Sequence, residues 1–334
     1  MSTIDGANTM EEITDSVTRI ELPAVEGVST ALSTPTNVYI VDHSSPALIN
    51  AGHPAQFDHL VRALRDYGIT PADIERIIVT SWRVDVLGAA SQFPGADLFV
   101  ASPDMRAPRD LEMQIDLRRR HLLEMASQMG EFDDQFRHRR AQESVHNFYP
   151  RLTRDLRFLP LRNGHFVRAG DLRLEVLGTA GPGPGHMALY EADEKLLFCG
   201  DFAMTGLPGH LDDPQAYLVS LERLARLDSE RVLPNEGRIF TQGRWTVSRA
   251  ANFLNSFLSN APQALVRNPT VLEFMERDRG HLPEDPVELL LNYELFRHLF
   301  DELVRSRTIA ADGQGPERRY GVDIEDPRQK VRRK

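Results

Sequence analysis

The sequence predicts a layered α/β domain that carries a helical insertion and a small C-terminal helical module. Three observations lead to this fold class. Short β-branched and aliphatic runs alternate with an amphipathic helix over the first hundred residues, which is typical of a sheet covered by helices. Residues 105–150 have the composition of long helices, and the chain from about 268 predicts two helices and a glycine-tipped hairpin.

The first strands are predicted between residues 17 and 49. Residues 17–22 alternate apolar and polar side chains, as a half-buried strand does. The runs at 37–41 and 47–49 are β-branched or aliphatic, and the turn-forming sequence HSSP separates them. Residues 1–15 are polar and acidic, and we expect them to be disordered.

A helix and two buried strands are predicted next. Apolar side chains fall at helical spacing over 56–67, and Gly68 ends this helix. Residues 77–79 and 98–100 form short buried strands. The order strand, helix, strand, strand favours an α/β layered domain.

Residues 105–150 differ in composition from the rest of the chain. They are rich in Arg, Glu, Gln and Met, Gly130 is their single glycine, and no proline lies between 109 and 149. Such a composition favours long helices. We interpret the segment as a helical insertion that covers a cleft or binds a partner.

The rest of the chain completes the main domain and adds a module. Strands are predicted at 156–161, 172–177, 187–190, 195–199 and 231–233, and helices at 214–226 and 245–258. The main domain then spans 16–262. Residues 263–323 form the C-terminal module, whose order of two helices and a hairpin is that of a winged helix, and 324–334 form a basic, solvated tail.

Charge and composition exclude several classes of protein. Asp and Glu number 49 against 39 Lys and Arg, a net charge of −10, which opposes nonspecific attraction to nucleic acid or anionic lipid. Runs of about 18 apolar residues, which a membrane span requires, do not occur in the sequence. The N-terminus lacks the pattern of a signal peptide, and a single cysteine, Cys199, offers no internal disulfide. We therefore expect a cytoplasmic protein with no membrane or nucleic-acid partner.

Five segments, in this order along the chain, resemble the metallo-β-lactamase superfamily. They are the hairpin at 36–52, where Asn50 stands for the usual aspartate, the helix and strand over 56–80, TAGPGPGH at 179–186, FCGD at 198–201 and LPNEG at 233–237. The resemblance covers about 17–260. It implies an αββα sandwich, and it is strongest to hydrolases that carry a helical insertion and a small C-terminal helical domain.

The resemblance also implies where metal ligands would lie. The superfamily binds two Zn²⁺ or Fe ions through imidazole and carboxylate groups. Asp85 and Asp201 match two of those ligands as themselves. At five positions the usual histidine is replaced, by Ser81, Arg83, Val86, Pro182 and Glu236.

Arg83 is the most informative of these replacements. Its guanidinium is a permanent cation and would enter a site built for cations. The resemblance therefore implies a vestigial site in which Arg83 pairs with Asp85, Asp201 or Glu236, at a desolvation cost. We expect no metal and no other cofactor. If Mg²⁺ or Mn²⁺ were bound, the same three carboxylates would be the candidate ligands.

Four further side chains have a functional and a structural interpretation. Trp82 could stack over a small molecule, and a core position is an equal alternative. His186 matches a position outside the metal ligands, and a hydrogen-bonded structural histidine is the simpler interpretation, although it could also line a ligand cleft. His53 and His59 have a spacing that does not suit joint ligation, and we expect both to be surface residues.

The sequence thus favours a non-catalytic protein that acts by binding. It would scaffold or regulate a protein partner through 105–150, hold a small-molecule ligand in the cleft, or form a homodimer. The alternative is a divergent hydrolase of ester, thioester or phosphoester bonds that uses Asp85, Asp201 and Glu236. A nucleic-acid-associated regulator is a third hypothesis, and the net charge of −10 opposes it.

Overall fold

The computed structural model describes residues 9–42, 45–101, 108–128, 135–149, 157–183 and 185–322. The predicted basic tail at 324–334 lies outside these described residues. Within them, no helix is both long enough and apolar enough to cross a bilayer.

Seven strands form the first sheet, in the order in which they occur along the chain. They are β1 Thr9–Thr14, β2 Val17–Leu22, β3 Thr36–Val41, β4 Ala47–Ile49, β5 Arg76–Ile78, β6 Asp97–Ala101 and β7 Arg157–Leu161. Strands β1 to β4 pair antiparallel, and β4 to β7 pair parallel. The parallel half follows from the crossover connections that carry helices between these strands.

The strand β1 corrects the prediction of disorder at the N-terminus. Thr9–Thr14 pairs with β2 along its length, so the expectation for 1–15 is wrong over this part. Arg19 on β2 forms an ion pair with Glu11 at 3.1 Å. The guanidinium of Arg231 also donates to the carbonyl oxygen of Ile13. Backbone pairing and two arginine contacts therefore hold a segment that is polar in sequence.

Five strands form the second sheet, in the order β12-β11-β10-β9-β8. They are β8 Phe166–Ala169, β9 Leu172–Gly178, β10 Met187–Glu191, β11 Leu196–Gly200 and β12 Arg231–Pro234. Only the β11–β12 pair of this sheet is parallel, among the strands that the structure describes. Tyr39 and Ile49 of the first sheet share one apolar core with Leu189 and Phe198 of the second, so the two sheets stack face to face.

Helices cover the outer faces of both sheets. Their bounds are α1 Phe57–Asp66, α2 Val84–Leu87, α3 Pro108–Gln128, α4 Gln135–Phe148, α5 Pro214–Leu224, α6 Gly243–Ala264, α7 Val271–Arg279 and α8 Pro286–Arg305. Helix α1 contacts β2, and α6 contacts β12 and α5. The predicted αββα arrangement, two sheets between two helical layers, is confirmed.

The helical insertion and the C-terminal elements pack on each other. Helices α3 and α4 contact one another, and both contact α8, which also contacts α5 and α7. After α8, the strands β13 Ala310–Asp312 and β14 Arg319–Gly321 pair antiparallel, so the order of two helices and a hairpin is present. Because α8 lies against the insertion and the main domain, it forms part of the surroundings of the site described below.

His53 is buried, and the prediction of a surface position for it is wrong. Its Nε2 lies 3.0 Å from the carbonyl oxygen of Phe148, and the two rings stack with their centroids 5.5 Å apart. Burial lowers the pKa of His53, and the bond to Phe148 opposes that effect. The contact therefore joins the C-terminal end of α4 to the segment that precedes α1.

Candidate functional site

The predicted site residues meet where β5, β11 and β12 end. Ser81 to Asp85 follow β5, Asp201 follows β11, and Glu236 follows β12. The carboxyl ends of parallel strands are a common place for functional side chains in α/β proteins. A backbone bond from Asn37 to the carbonyl oxygen of Asn235, at 2.7 Å, joins the two sheets beside them.

The guanidinium of Arg83 contacts all three remaining carboxylates. Its Nε donates to Asp85 Oδ1 at 3.0 Å, and its Nη2 donates to Asp85 Oδ2 and to Glu236 Oε1, the latter at 2.6 Å. Its Nη1 lies 3.5 Å from Asp201 Oδ1. Side-chain exposure is 3% for Asp85 and 4% for Asp201, against 27% for Arg83 and 35% for Glu236. We call these four residues the Arg83 cluster; it is buried on one side and accessible on the other.

One cation shared among three carboxylates leaves the Arg83 cluster electrostatically unbalanced. Burial raises the pKa of Asp85 to about 6, although Arg83 opposes that shift. Burial acts in the same direction on Asp201, but Arg83, His186, Ser81 and Asn235 together outweigh it and lower the pKa of Asp201. The two buried carboxylates therefore titrate differently because Asp201 has more hydrogen-bond donors around it.

A network of uncharged side chains, which the sequence patterns do not predict, also holds the carboxylate of Asp201. The amide of Asn235 donates to Asp201 Oδ1 at 2.7 Å and to Thr80 Oγ1 at 2.9 Å. The amide of Asn50 donates to Asn235 Oδ1 at 2.7 Å, and Asn50 Oδ1 accepts from the Thr80 backbone at 3.0 Å. Asn50 has a positive φ of 66°, which asparagine tolerates better than most residues. Its amide supplies a donor that the aspartate implied by the resemblance would lack.

His186 is buried, and both of its ring nitrogens are hydrogen-bonded. Its Nε2 accepts from the Asp201 backbone at 2.9 Å, so we assign the proton to Nδ1, which donates to the Thr179 carbonyl oxygen at 2.9 Å. Burial lowers the pKa of His186, which keeps the ring neutral. A Cβ on Gly200, whose φ is +66°, would lie 2.3 Å from Nε2, so the imidazole needs a glycine there.

The other replaced positions contribute in different ways. Ser81 is buried and hydrogen-bonds Asp201, and Val86 is a fully buried core residue. Pro182 and Trp82 line a cleft beside the cluster. A Cβ on Gly185 would overlap the indole of Trp82, so this glycine allows the ring to lie close to the 179–186 loop.

The cleft above the Arg83 cluster has a volume of about 970 Å³ and is lined by residues from many parts of the chain. Arg83, Asp201 and Glu236 of the cluster form its floor, α3 and the residues that end α4 form one wall, and α8 forms another. Many of its lining residues are apolar, among them Leu32, Ile115, Phe148, Phe202, Met204 and Leu291. A volume of this size and lining is typical of small-molecule sites.

A second group of charged residues lies in the cleft wall, and no sequence pattern indicated it. Arg118 on α3 binds Glu294 on α8 through two hydrogen bonds, of 2.5 and 2.6 Å. His121 Nε2 lies 2.9 Å from Glu294 Oε1, and His210 Nδ1 lies 3.3 Å from Arg118. Burial lowers the pKa of His210 to about 3, with Arg118 acting in the same direction, so this histidine is neutral. We call these four residues the Arg118 cluster.

The residues present do not fit the metal pair that the resemblance implies. Ser81, Arg83, Val86 and Pro182 offer no imidazole or carboxylate, and Arg83 is bonded to the three carboxylates that remain. Among the residues that the structure describes, no group of three or more His, Cys, Asp or Glu side chains is arranged to hold a metal ion. A divalent ion would have to displace a guanidinium of the same sign of charge.

Comparison with known proteins identifies the family. The sequence profile of the metallo-β-lactamase superfamily matches residues 33–236, which is more than half of the chain. The chain belongs to the metallo-β-lactamase superfamily.

Relatives in sequence and in structure agree with this assignment. The chain is 29% identical over 137 residues to a hydroxyacylglutathione hydrolase of Ectopseudomonas mendocina (strain ymp), a match to 40% of this chain and 50% of that protein. It is 36% identical over 63 residues to an uncharacterized protein of Aquifex aeolicus (strain VF5), covering 19% of this chain and 30% of that one. The chain thus spans half or less of these curated relatives.

Solved structures match over nearly the full chain. A metallo-β-lactamase family protein of Thermus thermophilus superposes with a TM-score of 0.70 at 19% identity, covering 93% of this chain and 99% of that one. A β-lactamase domain protein of Burkholderia ambifaria gives a TM-score of 0.69 at 15% identity, with 96% and 97% covered. At these identities the likeness establishes the fold alone.

Proposed function

We propose that this protein is a non-catalytic member of the metallo-β-lactamase superfamily that acts as a scaffold or regulator by binding a small ligand in the cleft above Arg83. The observation that carries the proposal is the set of contacts between Arg83 and the three carboxylates. The superfamily's chemistry requires metal ions among those side chains. A permanent cation bonded to all three opposes metal binding there, while the cleft above them stays large enough for a ligand.

The first test is the metal content of the protein. Untagged protein from cells supplied with Zn, Fe and Mn should contain less than about a tenth of an equivalent of each by elemental mass spectrometry, because an intact site would be nearly full. The variant Arg83→His removes the cation and adds an imidazole, so its metal occupancy should rise. Arg238→His, at the exposed rim of the same cleft, is the matched control and should stay empty. One or two equivalents of a single metal in the native protein would refute the proposal.

A hydrolase of ester, thioester or phosphoester bonds is the second candidate. Asp201 and Glu236 line the cleft, and the pKa of about 6 for Asp85 is suited to proton transfer near neutral pH. The partial similarity to a hydroxyacylglutathione hydrolase agrees with this candidate. It predicts that Asp201→Asn abolishes turnover of a model ester, thioester or phosphoester while the melting temperature stays nearly constant. A lowered melting temperature of Asp201→Asn, together with no turnover by the native protein, would favour the binding role.

A further inference from the structure

The floor of the cleft carries an excess of negative charge. Asp85, Asp201 and Glu236 share the guanidinium of Arg83, and in the described part of the chain no other ion pair to these three carboxylates is found. Glu236 is the accessible member, with Oε1 bound to Arg83 and Oε2 accepting the hydroxyl of Thr34 at 2.6 Å. A carboxylate oxygen can accept more than one hydrogen bond, so Glu236 can bind a further donor from the cleft.

Arg83 itself is poorly placed to receive an anion. Its Nε and Nη2 are committed to Asp85 and Glu236, and its Nη1 faces Asp201. An anionic group at the floor would therefore meet the carboxylates of Asp201 and Glu236 beside a guanidinium that is already paired with both. An anion in contact with these carboxylates would be repelled strongly, because the walls of the cleft limit the water that screens the charges.

The other end of the cleft does not reverse this preference. Arg118 is neutralised by its two bonds to Glu294, and His210 is uncharged at neutral pH. Arg238 lies at the exposed rim over the ring of Phe240, and Arg297 lies on α8 beside His298. These two arginines add positive charge to the lining, and the carboxylates of Glu21 and Asp212, which line the same cleft, offset it.

We propose that the cleft binds an amphiphilic cation, with its ammonium group on Glu236 and its apolar body along the cleft walls. The inference rests on the proposed binding function and assigns the chemical class of its ligand. Trp82, Phe148, Phe202 and Phe240 line the same space, and aromatic faces attract cations as well as apolar groups. A cleft of about 970 Å³ accommodates a ligand of many carbon atoms beyond the charged group.

The test compares octylammonium with octanoate, which have the same chain length and opposite charge. The sequence has two tryptophans; Trp245 is exposed on α6, so the variant Trp245→Phe leaves Trp82 in the cleft as the single tryptophan, which is excited selectively at long wavelength. Titrated below the micelle concentration, octylammonium should change the Trp82 emission saturably and bind at least about tenfold more tightly than octanoate. Isothermal titration calorimetry of the native chain is the second measurement and detects binding that leaves the emission unchanged.

Glu236→Gln should weaken octylammonium binding about tenfold, since it removes a charge-assisted hydrogen bond and keeps the size of the side chain. Binding of octanol should not change. Glu222→Gln, on the exposed face of α5, is the matched control and should bind as the native chain does. Octanoate binding equal to or tighter than octylammonium, or an unchanged octylammonium affinity in Glu236→Gln, would overturn the ligand class.

The outcomes separate the ligand class from the function on which it rests. A protein with no bound metal and no preference for octylammonium would show that the ligand class is wrong and leave the binding function standing. A protein with stoichiometric metal would refute the proposed function whatever it binds. Octylammonium selectivity that Glu236→Gln removes, in metal-free protein, supports both.

Discussion

Replacing Arg83 with methionine is expected to destabilise the fold by about 3–5 kcal/mol at pH 7, the usual cost of leaving a buried charge without its partner. Asp85 and Asp201 are almost fully buried, and Arg83 forms ion pairs with both. Methionine keeps most of the apolar stem and removes the charge. Urea denaturation of the native and variant proteins measures the difference in the free energy of unfolding.

The loss in Arg83→Met should depend on pH with a defined sign. Burial already raises the pKa of Asp85 to about 6 in the native protein, and Arg83 opposes that shift. Without Arg83 the folded-state pKa lies higher still, above the unfolded value of about 4. An acid with a raised folded pKa costs stability at high pH, and the cost falls as pH decreases through that pKa. The destabilisation should therefore be largest above pH 7 and shrink towards pH 4.

Arg238→Met is the matched control for this experiment. Arg238 is exposed at the rim of the same cleft and stacks on Phe240, so its loss should change stability by no more than about 0.5 kcal/mol. If Arg83→Met cost less than about 1 kcal/mol, or if its effect were the same at pH 5 and pH 8, Arg83 would not be the counter-ion of the buried carboxylates.

Replacing Glu294 with leucine should lower the free energy of unfolding by about 3 kcal/mol, because it leaves the buried guanidinium of Arg118 without its partner. Arg118 makes two hydrogen bonds to Glu294, and His121 contacts the same carboxylate. Burial opposes ionisation of Glu294, but Arg118 and His121 outweigh it and hold its pKa well below its usual range. A carboxylate with a depressed folded pKa adds stability above its unfolded pKa, and that stability is lost as pH falls. The acid-induced loss of stability should therefore be smaller in Glu294→Leu than in the native protein.

Glu288→Ala on the same helix is the control for Glu294→Leu. Glu288 pairs with Arg279 at 3.2 Å, and both side chains are exposed, so the loss should be below about 1 kcal/mol. Thermal unfolding at pH 7 compares the two variants. Equal effects from the two glutamates would contradict the assignment of a buried pair between α3 and α8.

The strands and helices that face a core were predictable because burial leaves a pattern in the sequence. Residues 38–41 of the all-buried β3 and 196–199 of β11 are apolar runs, and α1 shows helical spacing. Two edge strands were missed. Thr9–Thr14 is short and polar, and Phe166–Ala169 has only four residues. Pairing with a neighbour, rather than the residues' own preferences, makes these segments strands.

The charged floor of the site was predictable because the resemblance indicated the positions at which ligands belong, and Arg83 with its carboxylates falls on them. The supporting residues were not. Asn50 and Asn235 are 185 residues apart, and Arg118 and Glu294 are 176 apart. Neither pair has a local pattern, since each contact exists only once the sheets, the insertion and α8 have packed. The roles of these residues in binding stay predictions.

The composite wall of the cleft has a thermodynamic consequence. Because α8 supplies part of the lining and is joined to α3 by the Arg118–Glu294 pair, a ligand that contacts both α3 and α8 keeps all its contacts only while α8 is docked. A ligand that touches both walls favours the docked helix by the same factor by which docking raises the ligand's affinity. Filling of the cleft would then stabilise the docked position of α8.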